Sequence, residues 1–130
     1  MRGTGFLTLT LALAAVVPAQ ATQDDSLLTA ALTQAPGTSI EALRVSYAPG
    51  EASKPHTHAR DAYVYVLAGH VRSQVEGQPL RVYATGENWF EPAGVRHLVS
   101  ANASDSEPAT ILVVFVGTAR AQPGSRTQSR

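Results

Sequence analysis

Three histidines are placed where their imidazoles could share one metal ion: His56, His58 and His97. His56 and His58 are two residues apart just before an apolar run, and in extended backbone residues i and i+2 project from the same face. His97 follows the turn sequence 92–94 and could close the site from across a barrel. Because neutral imidazole binds iron, manganese, nickel, copper and zinc, this spacing indicates a site for one divalent transition metal. A bare His-x-His pair also occurs in surface loops, which is the alternative interpretation.

The remaining side chains give weaker chemical signals. His70 follows a glycine at the expected hairpin turn and is typical of a solvated surface residue. Arg72 and Gln74 share one strand face, so they would contact a ligand if that face is internal and water if it is external. The chain has no cysteine, which excludes disulfides and thiolate ligands. No Ser-His-Asp order, glycine-rich phosphate loop or basic patch occurs.

Short apolar runs between Gly and Pro turns must position the histidines. The clearest is residues 62–67, rich in β-branched and aromatic residues. By parity with the histidines, Val64 and Val66 should line the interior, and Tyr63, Tyr65 and Leu67 the outer face. One of Trp89 and Phe90 should pack in the core. Residues 22–26 are polar and expected to fray. The further runs are residues 27–33 (a helix is the alternative there), 40–47, 71–76, 80–84, 97–100 and 111–116. Residues 111–116 are continuously apolar, which predicts a strand buried on both faces. Seven or eight such strands predict an all-β sandwich or barrel.

The histidines and their flanking glycines resemble the two motifs of the cupin superfamily. The first motif is matched by Gly50, five intervening residues, His56-Thr57-His58 and the closing Gly69. The second is matched by Gly86, five residues, Pro92-Ala93-Gly94, two residues and His97. The resemblance covers roughly residues 40–117. It implies a double-stranded β-helix of jelly-roll type, with His56, His58 and His97 as metal ligands.

Two positions depart from the family pattern. Ala62 stands where the family has a metal-binding Glu, and Asn102 comes one residue later than the motif's Asn, which is not a ligand. Asp61 is adjacent to Ala62, but strand alternation turns it away unless a bulge re-aims it. Three neutral imidazoles would leave a metal with its full charge and open coordination positions. Such a site would serve oxygenase-type chemistry, or it would be a decaying site that only binds.

The two ends of the chain are set apart by composition. Met1-Arg2, the apolar run 6–17 and the small residues 19–21 have the order of a secretory signal peptide cleaved after Ala21. The apolar run is shorter than the roughly 20 residues that span a bilayer. The expected organisation is a signal peptide at 1–21, an N-terminal extension with an edge strand at 22–39, the barrel at 40–118 and a disordered tail at 119–130. The protein should then be periplasmic or secreted.

Several functions fit these observations. The formal net charge is zero, so nucleic acid and, after signal cleavage, membranes are not expected partners. The resemblance implies a metal-dependent protein with a small-molecule partner. It points to oxidation of a small organic substrate by dioxygen, with isomerase or lyase chemistry also within the family's range. A non-catalytic ligand-binding barrel and a dimer with a structural metal are the alternatives; catalytic residues are not assigned, and a homodimer is expected.

Overall fold

The computed structural model describes residues 22–118, which form ten strands and no helix. The strands are β1 (Gln23–Ala31), β2 (Thr38–Tyr47), β3 (Ala52–Ser53), β4 (His56–Thr57), β5 (Asp61–Ala68), β6 (His70–Val75), β7 (Arg81–Ala84), β8 (Asn88–Glu91), β9 (Arg96–Asn102) and β10 (Ala109–Thr118). This part of the chain contains no helix long and apolar enough to cross a membrane. The predicted signal peptide (1–21) and the predicted tail (119–130) lie outside the described residues.

The strands form two antiparallel five-stranded sheets whose apolar faces meet. The first sheet has the order β1-β2-β10-β5-β8, and the second has the order β3-β9-β6-β7 with β4 also paired to β9. This confirms the predicted all-β class and agrees with a double-stranded β-helix of jelly-roll type. The described residues contain ten strands where seven or eight were expected, because three short strands lie outside the predicted runs: β3, β4 and β8.

The chain passes from the first sheet to the second at Gly69, the one residue between β5 and β6. Gly69 has φ of 76°, a conformation that costs little only for glycine. A Cβ at this position would lie 2.6 Å from the carbonyl oxygen of Pro108. The glycine that closes the first motif is therefore required by the sharp corner between the sheets.

Alternation along β5 places the core between the sheets. Ala62, Val64 and Val66 are almost completely buried, whereas Tyr63 and Leu67 are exposed on the outer face. This confirms the predicted parity of the strand. From the second sheet, Val71, Val75 and Tyr83 complete the same core.

Two predictions about strand environment are wrong. β10 is buried on one face only: Ile111, Val113 and Phe115 point inward, while Val116 on the other face is 38% exposed, because no further layer of described residues covers that face. Residues 22–26 were expected to fray, but β1 begins at Gln23 and pairs with β2. A polar strand can form at a sheet edge because its backbone hydrogen bonds do not require apolar side chains.

Candidate metal centre

His56 and His58 converge as their spacing predicts. Their Nε2 atoms are 3.1 Å apart, and their ring centroids are 4.6 Å apart. The Nδ1 atom of His56 lies 2.7 Å from the carbonyl oxygen of Lys54, which can only accept a hydrogen bond. Nδ1 of His56 therefore carries the proton, and the lone pair is on Nε2, directed at the cluster. The backbone of His58 is held by a hydrogen bond from the amide of Gly94, in the turn that precedes His97.

His97 lies directly opposite His56 in the pairing of β4 with β9, and their ring centroids are 5.2 Å apart. The side chain is buried, with Nε2 2.9 Å from the Oγ atom of Ser73. The structure thus brings together all three histidines that the sequence singled out. Strand β9 has a bulge next to His97: Val75 pairs with His97 and Gln74 with Val99, so the intervening Leu98 has no partner in β6.

The carboxylate absent at position 62 is supplied by Glu91, on the neighbouring strand. Glu91 of β8 pairs directly with Ala62 of β5, so the two side chains share the inward face of the sheet. Glu91 is 3% exposed, and its Oε1 lies 3.1 Å from Nδ1 of His97. Its Oε2 lies 3.2 Å from Nε2 of His58. The small side chain of Ala62 leaves room for the longer one opposite it.

Glu91 was not among the residues predicted from sequence. One signal could have found it: Trp89 is two residues earlier in the same strand, so a core position for Trp89 implies an inward-facing Glu91. Trp89 is indeed buried, and Phe90 between them is 50% exposed. The pairing of β8 with β5 could not be deduced from residue spacing, because it joins segments far apart in the chain.

Asp61, the carboxylate considered in place of the missing Glu, does not belong to the cluster. Its side chain points to the outer face, where Oδ1 accepts a hydrogen bond of 2.8 Å from the backbone amide of Ala93. No bulge interrupts β5 at this point, so strand alternation decides its direction. Asp61 instead fixes the turn before His97.

The other residues considered for the site lie outside it. His70 is exposed, and Arg72 is on the outer face of β6, opposite in direction to the buried Val71 and Ser73. Asn102 is buried and structural: its amide donates to the carbonyl oxygens of Ala48 and Glu107.

The Glu91 carboxyl group is held in its ionised form. Burial alone would raise its pKa, but the close imidazoles of His58 and His97 and the indole N–H of Trp89 outweigh burial and lower the pKa to about 2. The indole Nε1 of Trp89 donates to Oε1 over 2.8 Å. The contact of Oε2 with His58 is close but not aligned as a hydrogen bond, so Oε2 has no hydrogen-bond partner among the described residues. A buried carboxylate oxygen of this kind is costly unless a proton or a cation meets it.

These observations fit a metal ion. One ligand atom from each of His56, His58, Glu91 and His97 can be chosen so that all four lie within 4.8 Å of one another. Three imidazole nitrogens and one carboxylate oxygen suit iron, manganese, nickel, copper or zinc. The prediction of a site with three neutral imidazoles and no carboxylate is therefore wrong, because β8 contributes the carboxylate of Glu91.

The cluster opens into a cavity of about 580 Å³ between the two sheets. One wall is apolar and comes from β2, β5 and β10, including Leu43, Val64 and Val113. This volume is within the range of pockets that bind small organic molecules.

Comparisons with known proteins agree with the fold. A family model for the Cupin domain matches residues 43–115, more than half of the chain. The TT1209 structure from Thermus thermophilus is 29% identical, with a TM-score of 0.60 over 78% of this chain and 88% of that chain. The DMSP lyase DddQ from Ruegeria pomeroyi DSS-3 is 25% identical, with a TM-score of 0.56 over 64% of this chain and 41% of that chain.

A third similar structure is an oxalate oxidase in complex with the substrate analogue glycolate. It is 25% identical, with a TM-score of 0.54 over 61% of this chain and 45% of that chain. The chain therefore spans less than half the length of the lyase and of the oxidase. No curated protein matches the sequence significantly. From the family match and the two facing sheets, we conclude that the chain belongs to the cupin superfamily.

Proposed function

We propose that this protein binds one divalent transition metal through His56, His58, His97 and Glu91 and acts on a small organic molecule in the adjoining cavity. The observation that carries the proposal is the buried Oε2 atom of Glu91, which faces the imidazoles without a hydrogen-bond partner among the described residues. A bound metal would supply Lewis-acid chemistry and a template for the substrate.

The protein's own groups prepare this site. The ionised Glu91 offsets part of the charge of a divalent cation, and Trp89 fixes the direction of its carboxylate. Lys54 fixes the ring of His56 through its carbonyl oxygen, and Ser73 contacts the ring of His97. Ligands that are held in this way lose little freedom when a metal binds.

Two reaction classes are supported by the similar structures, which include an oxalate oxidase and a DMSP lyase. We propose metal-assisted chemistry of one of these kinds, oxidation by dioxygen or elimination. The second candidate function is non-catalytic capture of a small ligand. An acid–base group in the cavity besides the metal ligands would favour catalysis over capture. Asp61 and Tyr65 do not line the cavity, and the hydroxyl of Tyr47, which does, is a neutral hydrogen-bonding group.

We also propose that the protein is exported after cleavage behind Ala21, as the order of charged, apolar and small residues at the N-terminus indicates. A homodimer is proposed from the family resemblance. The outer face of β5 and β8 carries the paired and exposed Tyr63 and Phe90, which supports an interface there. Mass spectrometry of the protein from the native secretory compartment tests the cleavage, and light scattering tests the dimer.

The metal content of the purified protein tests the main proposal. We expect about one transition-metal ion per chain. His58→Ala and Glu91→Gln should lose most of it, and His70→Ala, which alters the one histidine outside the cluster, should keep it. Retention of the metal in the His58 and Glu91 variants would contradict the proposed ligand set. Absence of metal from the wild-type protein, before and after incubation with each candidate ion, would leave ligand capture as the better account.

A further inference from the structure

The cavity contains a second group of polar side chains, which we call the hydroxyl cluster: Tyr47, Ser53 and Ser100. The hydroxyl of Tyr47 lies 2.9 Å from Oγ of Ser53 and 2.8 Å from Oγ of Ser100. Ser53 and Ser100 are directly paired across β3 and β9, and all three residues line the cavity. The cluster therefore lies inside the barrel, where a ligand can reach it.

Strand β9 links the hydroxyl cluster to the metal ligands, because it carries both Ser100 and His97. His97 pairs with Val75 of β6, and Ser100 pairs with Ser73, so the two levels are separated by two residues of β6. Two residues of strand correspond to about 7 Å. A small molecule that contacts the metal site at one end can therefore contact the hydroxyls at the other.

The hydroxyl cluster is uncharged and has unused hydrogen-bonding capacity. Burial raises the pKa of Tyr47, and the hydrogen bonds to the serines only partly oppose this effect, so the phenol stays protonated at neutral pH. A hydroxyl group can donate one hydrogen bond and accept two. Tyr47 uses two of these, and Ser53 and Ser100 each make one side-chain bond within the cluster. The remaining donor and acceptor positions of these three hydroxyls can form hydrogen bonds with a hydroxyl or carbonyl group of a ligand.

Charges around the cavity disfavour an anion at this end. Apart from the metal ligand Glu91, the lining carboxylates among the described residues are Asp24 and Glu51, against one ammonium group, that of the exposed Lys54. Within residues 22–118, no arginine lines the cavity. A second carboxylate or phosphate of a ligand would thus be buried beside the hydroxyls without a fixed cation, which is costly.

The wall between the two levels is apolar. Val45, Ile111 and Val113 extend along it, and Phe115 lies against His58 with ring centroids 4.7 Å apart. The middle of a ligand in this cavity would therefore be in contact with hydrocarbon.

From this arrangement we infer the substrate class of the site: a small molecule with a metal-binding head, an apolar body and a neutral hydroxyl or carbonyl end. The hydroxyl cluster forms hydrogen bonds with that neutral end, and molecules with a second anionic end are excluded. This inference rests on the proposed metal site, because the head group is placed by the metal.

Alkyl hydroxamates provide the test, because their common head group chelates transition metals while their far end can be varied. Probes of about four to six carbons, chosen to span the roughly 7 Å between the levels, would end in a hydroxyl, a methyl or a carboxylate group. Their affinity for the Co²⁺-loaded protein is measured by calorimetry and by the change in the visible Co²⁺ spectrum. We expect the hydroxyl probe to bind at least about tenfold more tightly than the carboxylate probe.

Tyr47→Phe should reduce the preference for the hydroxyl probe over the methyl probe by about fivefold, the value of one hydrogen bond. Tyr83→Phe is the matched control, because Tyr83 is also buried but does not line the cavity, and it should leave the preference unchanged. Equal or tighter binding of the carboxylate probe would overturn the inference, as would an unchanged hydroxyl preference in Tyr47→Phe.

The failure of the metal site is distinguishable from the failure of this inference. If Co²⁺ does not bind, the proposed function fails. The preference for a neutral end group is then tested on the metal-free protein, by measuring the binding of 4-ethylphenol and 4-ethylbenzoate with ligand-observed NMR. Preferential binding of the phenol that is lost in Tyr47→Phe would support a neutral end group without a metal. Preferential binding of the benzoate, or no binding of either, would refute it.

Discussion

The pairing of Ala62 with Glu91 predicts that the carboxylate can be moved back across the sheet. In Ala62→Glu the introduced carboxylate would face Glu91 on the same side of the sheet, while in Glu91→Ala the cluster would have none. In the double variant, Ala62→Glu with Glu91→Ala, one carboxylate is again present on the inward face. We expect the double variant to bind metal and the Glu91→Ala variant to lose most binding.

The magnitude follows from the distance between paired residues. Directly paired side chains have Cβ atoms about 5 Å apart. Two carboxylates at that separation repel by roughly 3 kcal/mol at an effective dielectric constant near 20. Ala62 is fully buried, so its enlargement also crowds the site unless Glu91 is shortened. The double variant should therefore be more stable, by about 3 kcal/mol or more, than the sum of the two single changes predicts.

The coupling energy between positions 62 and 91 is measured by urea unfolding, in the presence of a chelator, of the wild type, the two single variants and the double variant. Titration of the same four proteins with Co²⁺ measures metal binding. If the changes in the free energy of unfolding of the two single variants add to within about 0.5 kcal/mol of that of the double variant, the side chains at positions 62 and 91 do not contact each other. A stable double variant that binds no metal would show that the carboxylate must come from β8.

Three further predictions concern single positions. Trp89→Phe should weaken metal binding by about tenfold, because Glu91 loses the indole hydrogen bond that orients it; an unchanged affinity in a competition titration would refute this role. Since burial raises the pKa of Tyr47, its stabilising contribution is complete below the ordinary tyrosine pKa of about 10 and is lost as the pH rises through the higher folded-state value. The free energy of unfolding of the wild-type protein should therefore fall more steeply above about pH 10 than that of Tyr47→Phe, and parallel curves would contradict the assignment. Gly69→Ala should cost about 2–4 kcal/mol in urea unfolding, because a positive φ is combined with the contact to Pro108, whereas Gly77→Ala has a similar φ but open space and should cost about 1 kcal/mol; equal costs would refute the steric argument.

The convergence of His56 and His58 could be predicted because it depends on local backbone geometry. The spacing of His56 and His58 fixes their common face, and the turn before His97 places that residue at the start of a strand. The burial of Val64 and Val66 follows from the same parity. These inferences need only the two-residue period of a strand. The approach of His97 to His56 depends on the pairing of β4 with β9, and it was expected from the family resemblance.

The position of Glu91 could not be predicted in this way, since it depends on which strands are neighbours. A carboxylate at the family's position would have been recognised by counting along β5, but here it is on the strand beside β5. The incomplete burial of β10 was missed for a similar reason, because an apolar run does not reveal whether a second layer covers its outer face. The hydroxyl cluster likewise joins β2, β3 and β9 only in the folded protein.

If Glu91 and the three histidines form one metal site, the ion must lie within bonding distance of all four side chains. Anomalous X-ray diffraction from crystals of the Co²⁺-loaded protein tests this most directly. We expect one strong peak in the barrel, about 2.0–2.2 Å from a nitrogen of each of His56, His58 and His97 and from an oxygen of Glu91. A metal bound without Glu91, or bound at Asp61 on the outer face, would contradict the account.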